Sequence, residues 1–191
     1  MPLTLQILTA STRPGRKGPA VARWAEGLAR EHGAFDVEAV DLASFDLPVF
    51  DEPTHPRLQQ YEHAHTRAWS ETVARADAFV FVHPEYNFFA PSALVNAITY
   101  LSKEWARKPV ALVSYGGMSG GLRAAESLKP LLTALSMMPI AENVALARFS
   151  EHLTGEGDAA TFDPGEGAAQ GMRTLLDALH RWATALATLR A

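Results

Sequence analysis

Ser11-Thr12-Arg13-Pro14-Gly15-Arg16-Lys17-Gly18 separates two segments with different hydrophobic periods. Before it, Leu3-Thr4-Leu5-Gln6-Ile7-Leu8 reads as a strand. After it, Val21, Trp24, Ala25 and Leu28 recur at helical spacing. A cationic, hydroxyl-bearing loop that opens a helix suits a phosphate. Free N–H groups point outward there, the helix dipole favours an anion, and an arginine adds a bidentate fork. Ser11 and Arg13 are the side-chain candidates, and the amides of Arg16, Lys17 and Gly18 form the candidate nest at the helix start.

Strand and helix signals alternate beyond this point. Apolar strand runs fall near 3–9, 36–41, 78–83, 109–114 and 138–147. Helical periodicity falls near 18–32, 62–76, 91–104, 119–135 and 168–190. This rhythm predicts an α/β fold: a flavodoxin-like three-layer α/β/α sandwich on a five-stranded parallel sheet, order 2-1-3-4-5. In that order the ligand crevice lies between the ends of strands 1 and 3, so the basic loop and Pro84-Glu85-Tyr86-Asn87 should share it. Residues 43–61, with Pro48, Pro53 and Pro56, read as a long excursion, and 150–167 as a surface loop. Pro130 inside the fourth helix pattern predicts a kink or a restart.

The 191 residues suit one domain spanning 1–191. Without cysteine there is no disulfide, thiolate nucleophile or zinc–sulfur site, which fits a reducing cytoplasm. A net charge of −4 argues against nucleic acid as partner, and no apolar stretch reaches membrane-spanning length. The start Met-Pro-Leu-Thr-Leu-Gln shows no signal-peptide pattern. His55, His63, His65 and His83 lack metal-ligand spacing and evident carboxylate partners, so no metal site is expected. Asn96, on an otherwise apolar helix, is expected to tie down backbone.

The chain resembles the NADPH-dependent FMN reductases over roughly residues 3 to 150. The pieces, in order, are the Ser11/Arg13 loop, Asp41-Leu42, Leu47-Pro48-Val49-Phe50-Asp51, Pro84-Glu85-Tyr86-Asn87, Leu94 with Asn96-Ala97-Ile98 and Leu101, and Ser114-Tyr115-Gly116-Gly117 with Gly120-Gly121. The resemblance implies bound FMN, reduced by NADPH or NADH and reoxidised by a small-molecule electron acceptor. Its phosphate would sit on Ser11, Arg13, Arg16, Lys17 and Gly18. Its ring would lie against Pro84, Glu85, Tyr86 and Asn87, with the pyrimidine end at Ser114, Tyr115, Gly116 and Gly117. Family members commonly carry glycine where Ala10 stands and serine where Arg16 stands. Because the flavin carries the chemistry, no catalytic side chain is assigned. Tyr86 and Tyr115 are the candidates for shaping the open ring face. The resemblance also implies a homodimer or homotetramer, for which the sequence offers Phe88, Phe89, Trp105, Met137 and Met138 as contact residues.

Three competing readings remain. Gly117-Met118-Ser119-Gly120-Gly121 fits the G-x-S-x-G nucleophile elbow, with Asp163 and His180 following in hydrolase order, so a small serine esterase using Ser119 is one. Asp41 stands where a ribose-binding acid would in a dinucleotide fold, although no G-x-G-x-x-G precedes it. An electron carrier or redox sensor of flavodoxin type, not directly reduced by NAD(P)H, is the third.

Overall fold

The computed structural model describes residues 2–190. Its main sheet is parallel, with the path β2 (Phe35–Asp41), β1 (Leu3–Thr9), β3 (Ala78–Pro84), β4 (Pro109–Tyr115) and β5 (Met138–Pro139). The order is the one expected from the sequence. The last position is shared, because β6 (Val144–Leu146) also pairs with β4. β5 lies along Pro109–Val110 and β6 along Val113–Tyr115. The expected single strand over 138–147 is therefore broken. Pro139 has no N–H to give to a ladder. Across the gap, the Asn143 side chain accepts from the Leu112 amide at 3.0 Å and replaces the missing strand carbonyl.

Central strands are buried on both faces, which is why they read as unbroken apolar runs. Side chains alternate between two cores. Leu5, Ile7, Val80, Val82 and Val113 face α1 (Gly18–His32) and α5 (Glu166–Ala187). Leu8, Phe79, Phe81 and Leu112 face α2 (Ala64–Arg75), α3 (Ser92–Thr99) and α4 (Leu122–Ala134). Gln6 is a buried polar residue of β1, and its amide donates to Glu38 and to the Thr72 carbonyl. Trp105 and Met137, expected at a subunit contact, are buried in the second core. Trp105 donates from its indole N–H to the Ile98 carbonyl and packs edge-on against Trp69 and Phe79. Met138 is half-buried in β5.

α3 stops at Thr99, earlier than its apolar period suggested, and the chain turns through 100–106, where Glu104 accepts from the Ser102 amide. α4 runs through Pro130 without interruption. The excursion over 43–61 is laced down by α3. Asn96 accepts from the Phe50 amide and donates to the Pro48 carbonyl, and the Tyr100 hydroxyl donates to Asp51. Residues 150–167 hold a small antiparallel pair, β7 (Leu153–Thr154) with β8 (Thr161–Phe162). Phe162 seats it edge-on against Trp24 of α1.

Candidate functional site at the carboxyl ends of the strands

The chain leaves β1 for α1 on one face and leaves β3 for α3 on the other, so the crevice between their ends is open by topology. Ala10 still donates to Val82, and Glu85 to Tyr115, so the three loops start from adjacent strand ends.

The first loop keeps donors unengaged. α1 begins at Gly18 with no side-chain cap, and its first turn has no acidic residue. Among the described residues, the amides of Thr12, Arg13, Lys17 and Gly18 have no protein acceptor, whereas the Arg16 amide closes a turn onto Arg13. The guanidinium of Arg13 and the ammonium of Lys17 likewise have no carboxylate partner, and Arg13 lies 5.9 Å from the Tyr86 ring centre. Arg16 differs. Its fork grips the Asp41 carboxylate at the end of β2 and also donates to the Ser11 carbonyl. Burial alone would raise the Asp41 pKa, but bonds from Arg16 and the Ala43 amide hold it below the usual range. Asp41 is thus bound within the loop framework and is not free for a ribose.

Ser11 is 1% exposed, and its hydroxyl has no hydrogen-bond partner. It nests where a Gly18 side chain would be: a Cβ there would lie 2.1 Å from Ser11 Oγ and 2.7 Å from the Tyr115 hydroxyl. Gly18 is therefore required for packing at the helix start. The donor set fits a phosphate: two unpaired cations, free amides at an uncapped helix start and a hydroxyl awaiting a partner.

The second loop is a two-residue hairpin turn. Tyr86 and Phe89 exchange both backbone bonds at 2.9 Å, and Asn87 (φ 49°) and Phe88 (φ 71°) occupy the left-handed region. This is the type I′ pattern, which favours Asn at the first position and Gly at the second. Phe88 holds the second position against that preference, at a cost on the order of 1 kcal/mol. Phe88 is 61% exposed, with the Arg123 guanidinium 3.8 Å over its ring, and Phe89 is 65% exposed. The Glu85 and Tyr86 amides, offered by the sequence to a ring edge, are engaged with Tyr115 and Phe89. The backbone bonds, not the Asn87 side chain, close this turn.

Glu85 acts through its carboxylate. It accepts from Ser119, from Arg123 and from the Arg123 and Ala124 amides at the start of α4. Burial raises its pKa, and these bonds outweigh burial and hold it below the usual carboxylate range. It supplies the cap that Gly121, at the N-cap, cannot. Beneath it, His83 is fully buried. Its Nδ1 lies 3.1 Å from the Pro84 carbonyl and its Nε2 has no partner. Burial lowers its pKa to about 4 and keeps it neutral.

The third loop is bound into the protein. The Ser114 hydroxyl donates to the Gly120 carbonyl, the Gly116 amide to Leu146, and Gly117 accepts from Arg148. Gly121 (φ 83°) could not carry a Cβ, which would meet Tyr115 N at 2.9 Å. The Tyr115 side chain is buried against Phe149, and burial pushes its phenol pKa well up. It does not face the open crevice. Tyr86 does lie at the exposed edge. The Gly117 amide, with open space at its Cα, has no acceptor among the described residues.

The hydrolase residues do not converge. Ser119 is bonded to Glu85, and Asp163 accepts from the Gly165 amide. His180 packs edge-on against Phe35 at the start of β2, the opposite end of the sheet. His63 and His65, read as lacking carboxylates, stack at 5.2 Å beside Asp51, with His65 3.0 Å from its carboxylate. Among the described residues, no three His, Cys, Asp or Glu side chains are placed to hold a metal ion. No described helix is long and apolar enough to cross a membrane.

The family model for NADPH-dependent FMN reductases matches residues 3–151. The chain belongs to that family. Over 133 residues it is 40% identical to an NAD(P)H-dependent FMN reductase of Schizosaccharomyces pombe, covering 69% of this chain and 66% of the relative. It is 34% identical over 143 residues to a quinone reductase of Escherichia coli, covering 70% and 72%. In fold it is similar to FerB, a flavoenzyme NAD(P)H:(acceptor) oxidoreductase of Paracoccus denitrificans. The TM-score is 0.75 at 20% identity, over 95% of this chain and 97% of that one. This FMN reductase family member is an oxidoreductase whose cofactor is FMN, with NAD(P)H as reductant. Glu85 as a cross-loop cap and the Arg16–Asp41 pair escaped sequence reasoning, because their partners are 25 to 39 residues away.

Proposed function

We propose that this reductase holds FMN across the three strand-end loops and passes electrons from NAD(P)H to a small acceptor such as a quinone, an azo compound or free flavin. Residues 1–191 would then act as one FMN-binding unit, in a homodimer or homotetramer. The observation that carries the reading is the unengaged donor set of the first loop, beside Tyr86. Arg13 and Lys17 would neutralise the phosphate, and the amides of Thr12, Lys17 and Gly18 would donate to its oxygens. Ser11 would turn its hydroxyl toward it. Arg16 would act indirectly, by fixing the loop on Asp41. Tyr86 would flank the ring, and the Gly117 amide would meet its polar edge. When bound, FMN supplies hydride acceptance and release. The protein's part is to leave one ring face open to nicotinamide and acceptor in turn, which needs no nucleophilic side chain. A chain without cysteine suits a reducing cytoplasm.

The test is anaerobic addition of NADPH, then NADH, to the FMN-loaded protein while the visible spectrum is recorded. Rapid bleaching of the bound flavin, reversed by a quinone, is the expected result. Bound flavin that stays oxidised with both nucleotides contradicts the reading and favours a carrier.

A further inference from the structure

A second concentration of unmet charge lies at the opposite pole of the sheet. A cleft of about 590 Å³ opens beneath the start of β4, lined in part by Lys103, Glu104, Arg107, Lys108, Ser136 and Arg190. That volume falls within the roughly 300–1,000 Å³ typical of small-molecule sites. Four cations meet one carboxylate there, in a chain whose net charge is −4.

The acids nearby do not balance the charge. Glu104 is turned to other donors: Gln59, the Tyr61 hydroxyl, Ser70 and the Ser102 amide. Asp77 pairs with Arg190 and accepts from the Thr4 amide. Lys103 and Arg107 have no carboxylate partner among the described residues, and the Arg107 guanidinium donates to the Leu189 carbonyl. Lys108 is 6% exposed, and its ammonium is held by the Val73 and Ala74 carbonyls, at 2.9 and 3.1 Å, with no counter-ion. A charge buried without an ion partner is expensive. Burial first, and Arg190 second, lower the Lys108 pKa to about 8, against opposing pulls from Asp77 and Glu104. Two non-glycine residues of this cleft, Arg107 (φ 61°) and Ser136 (φ 59°), are left-handed, and the Arg107 amide donates a hydrogen bond of 2.8 Å to the Ser136 carbonyl.

We propose that this cleft is a binding site for a phosphate-bearing organic anion, seated on Lys103, Arg107, Lys108 and Arg190, distinct from the flavin site. Phosphoryl oxygens match guanidinium forks and ammonium groups, and a polyanion supplies the counter-charge that Lys108 lacks. The cleft's size calls for more than a bare oxyanion. The site is independent of the flavin reading, because none of its residues belongs to the strand-end loops.

The test is calorimetric titration of the FMN-loaded full chain with inorganic pyrophosphate at pH 8, in two buffers of different ionisation enthalpy. Saturable binding is expected, with a proton exchange that sums uptake by Lys108, whose pKa an adjacent anion raises, and release by pyrophosphate, whose last proton a cationic site helps to remove. The paired variant Lys103→Gln/Arg107→Gln, both exposed positions, should bind at least tenfold more weakly with an unchanged melting temperature. Arg13→Ala should leave pyrophosphate affinity at this site unaltered, which separates it from the flavin loop. No saturable binding, binding undiminished in the paired variant, or binding lost with Arg13→Ala would each overturn the proposal.

Discussion

The first and third loops leave the same edge of one sheet, yet they treat their polar groups in opposite ways. In residues 114–121, Ser114, Gly116 and Gly117 are bonded to the protein, and Gly121 lies so close to Tyr115 that no side chain fits. In residues 11–18, Arg13 and Lys17 have no carboxylate partner and several amides have no acceptor among the described residues. Both loops are rich in residues that suit a ligand. In the third loop the Gly117 amide is left open, whereas the first leaves two cations and several amides unmet, and buried or clustered polar groups are normally satisfied. The glycines of the third loop serve mainly packing, whereas the cations of the first are arranged for something the polypeptide does not supply.

That contrast can be broken from the packing side first. Gly121→Ala should cost about 3–4 kcal/mol in unfolding free energy, since it forces a Cβ onto the Tyr115 backbone at a left-handed position. Denaturant titration would measure this, and a loss confined to FMN affinity would mean that the loop is tuned for ligand and not for packing. Acid should act through His83 beneath the crest. Its pKa falls from 6.5 to about 4 on folding, so the unfolded chain binds the proton first. Its contribution is intact above pH 6.5 and fades as pH falls toward 4, by up to about 3 kcal/mol. A His83→Gln variant should show a flatter stability profile over that window.

Glu85→Ala should cost about 2–3 kcal/mol, because it uncaps α4 and strands Arg123. Unchanged thermal stability would show that the link between the second and third loops is dispensable. The smallest effect is expected at the turn. Phe88→Gly should relieve left-handed strain and raise stability by about 1 kcal/mol, less whatever the Arg123 contact contributes. If it also slows turnover, Phe88 is kept for the open face at the expense of the turn.

Much of this was legible in the sequence because it is periodic or local. β1, β3 and β4 appear as apolar runs because both faces are covered, while the edge strand β2 alternates, and the sheet order follows from the alternation of strands with helices. The role of Asn96 as a backbone tie was readable from its isolation on an apolar helix. What escaped depends on distant partners. The fifth strand breaks because Asn143 can complete the ladder with its side chain, a fact about β4. Trp105 and Met137 looked like contact residues because no periodic element claimed them, yet tertiary packing buries them. Arg16 reads as an amide donor beside Lys17, and its side-chain partner, Asp41, lies 25 residues on. Asn-Phe hid a type I′ turn because the usual glycine is missing.

The most direct test is the FMN dissociation constant of Arg13→Ala beside Arg16→Ala, each at unchanged secondary structure. Loss of a charge-assisted phosphate contact should weaken Arg13→Ala at least tenfold, about 1.4 kcal/mol, with no change in melting temperature. Arg16→Ala should lower the melting temperature and change FMN affinity less. An FMN affinity unchanged by Arg13→Ala would contradict the claim that the unpaired donors of this loop hold the cofactor.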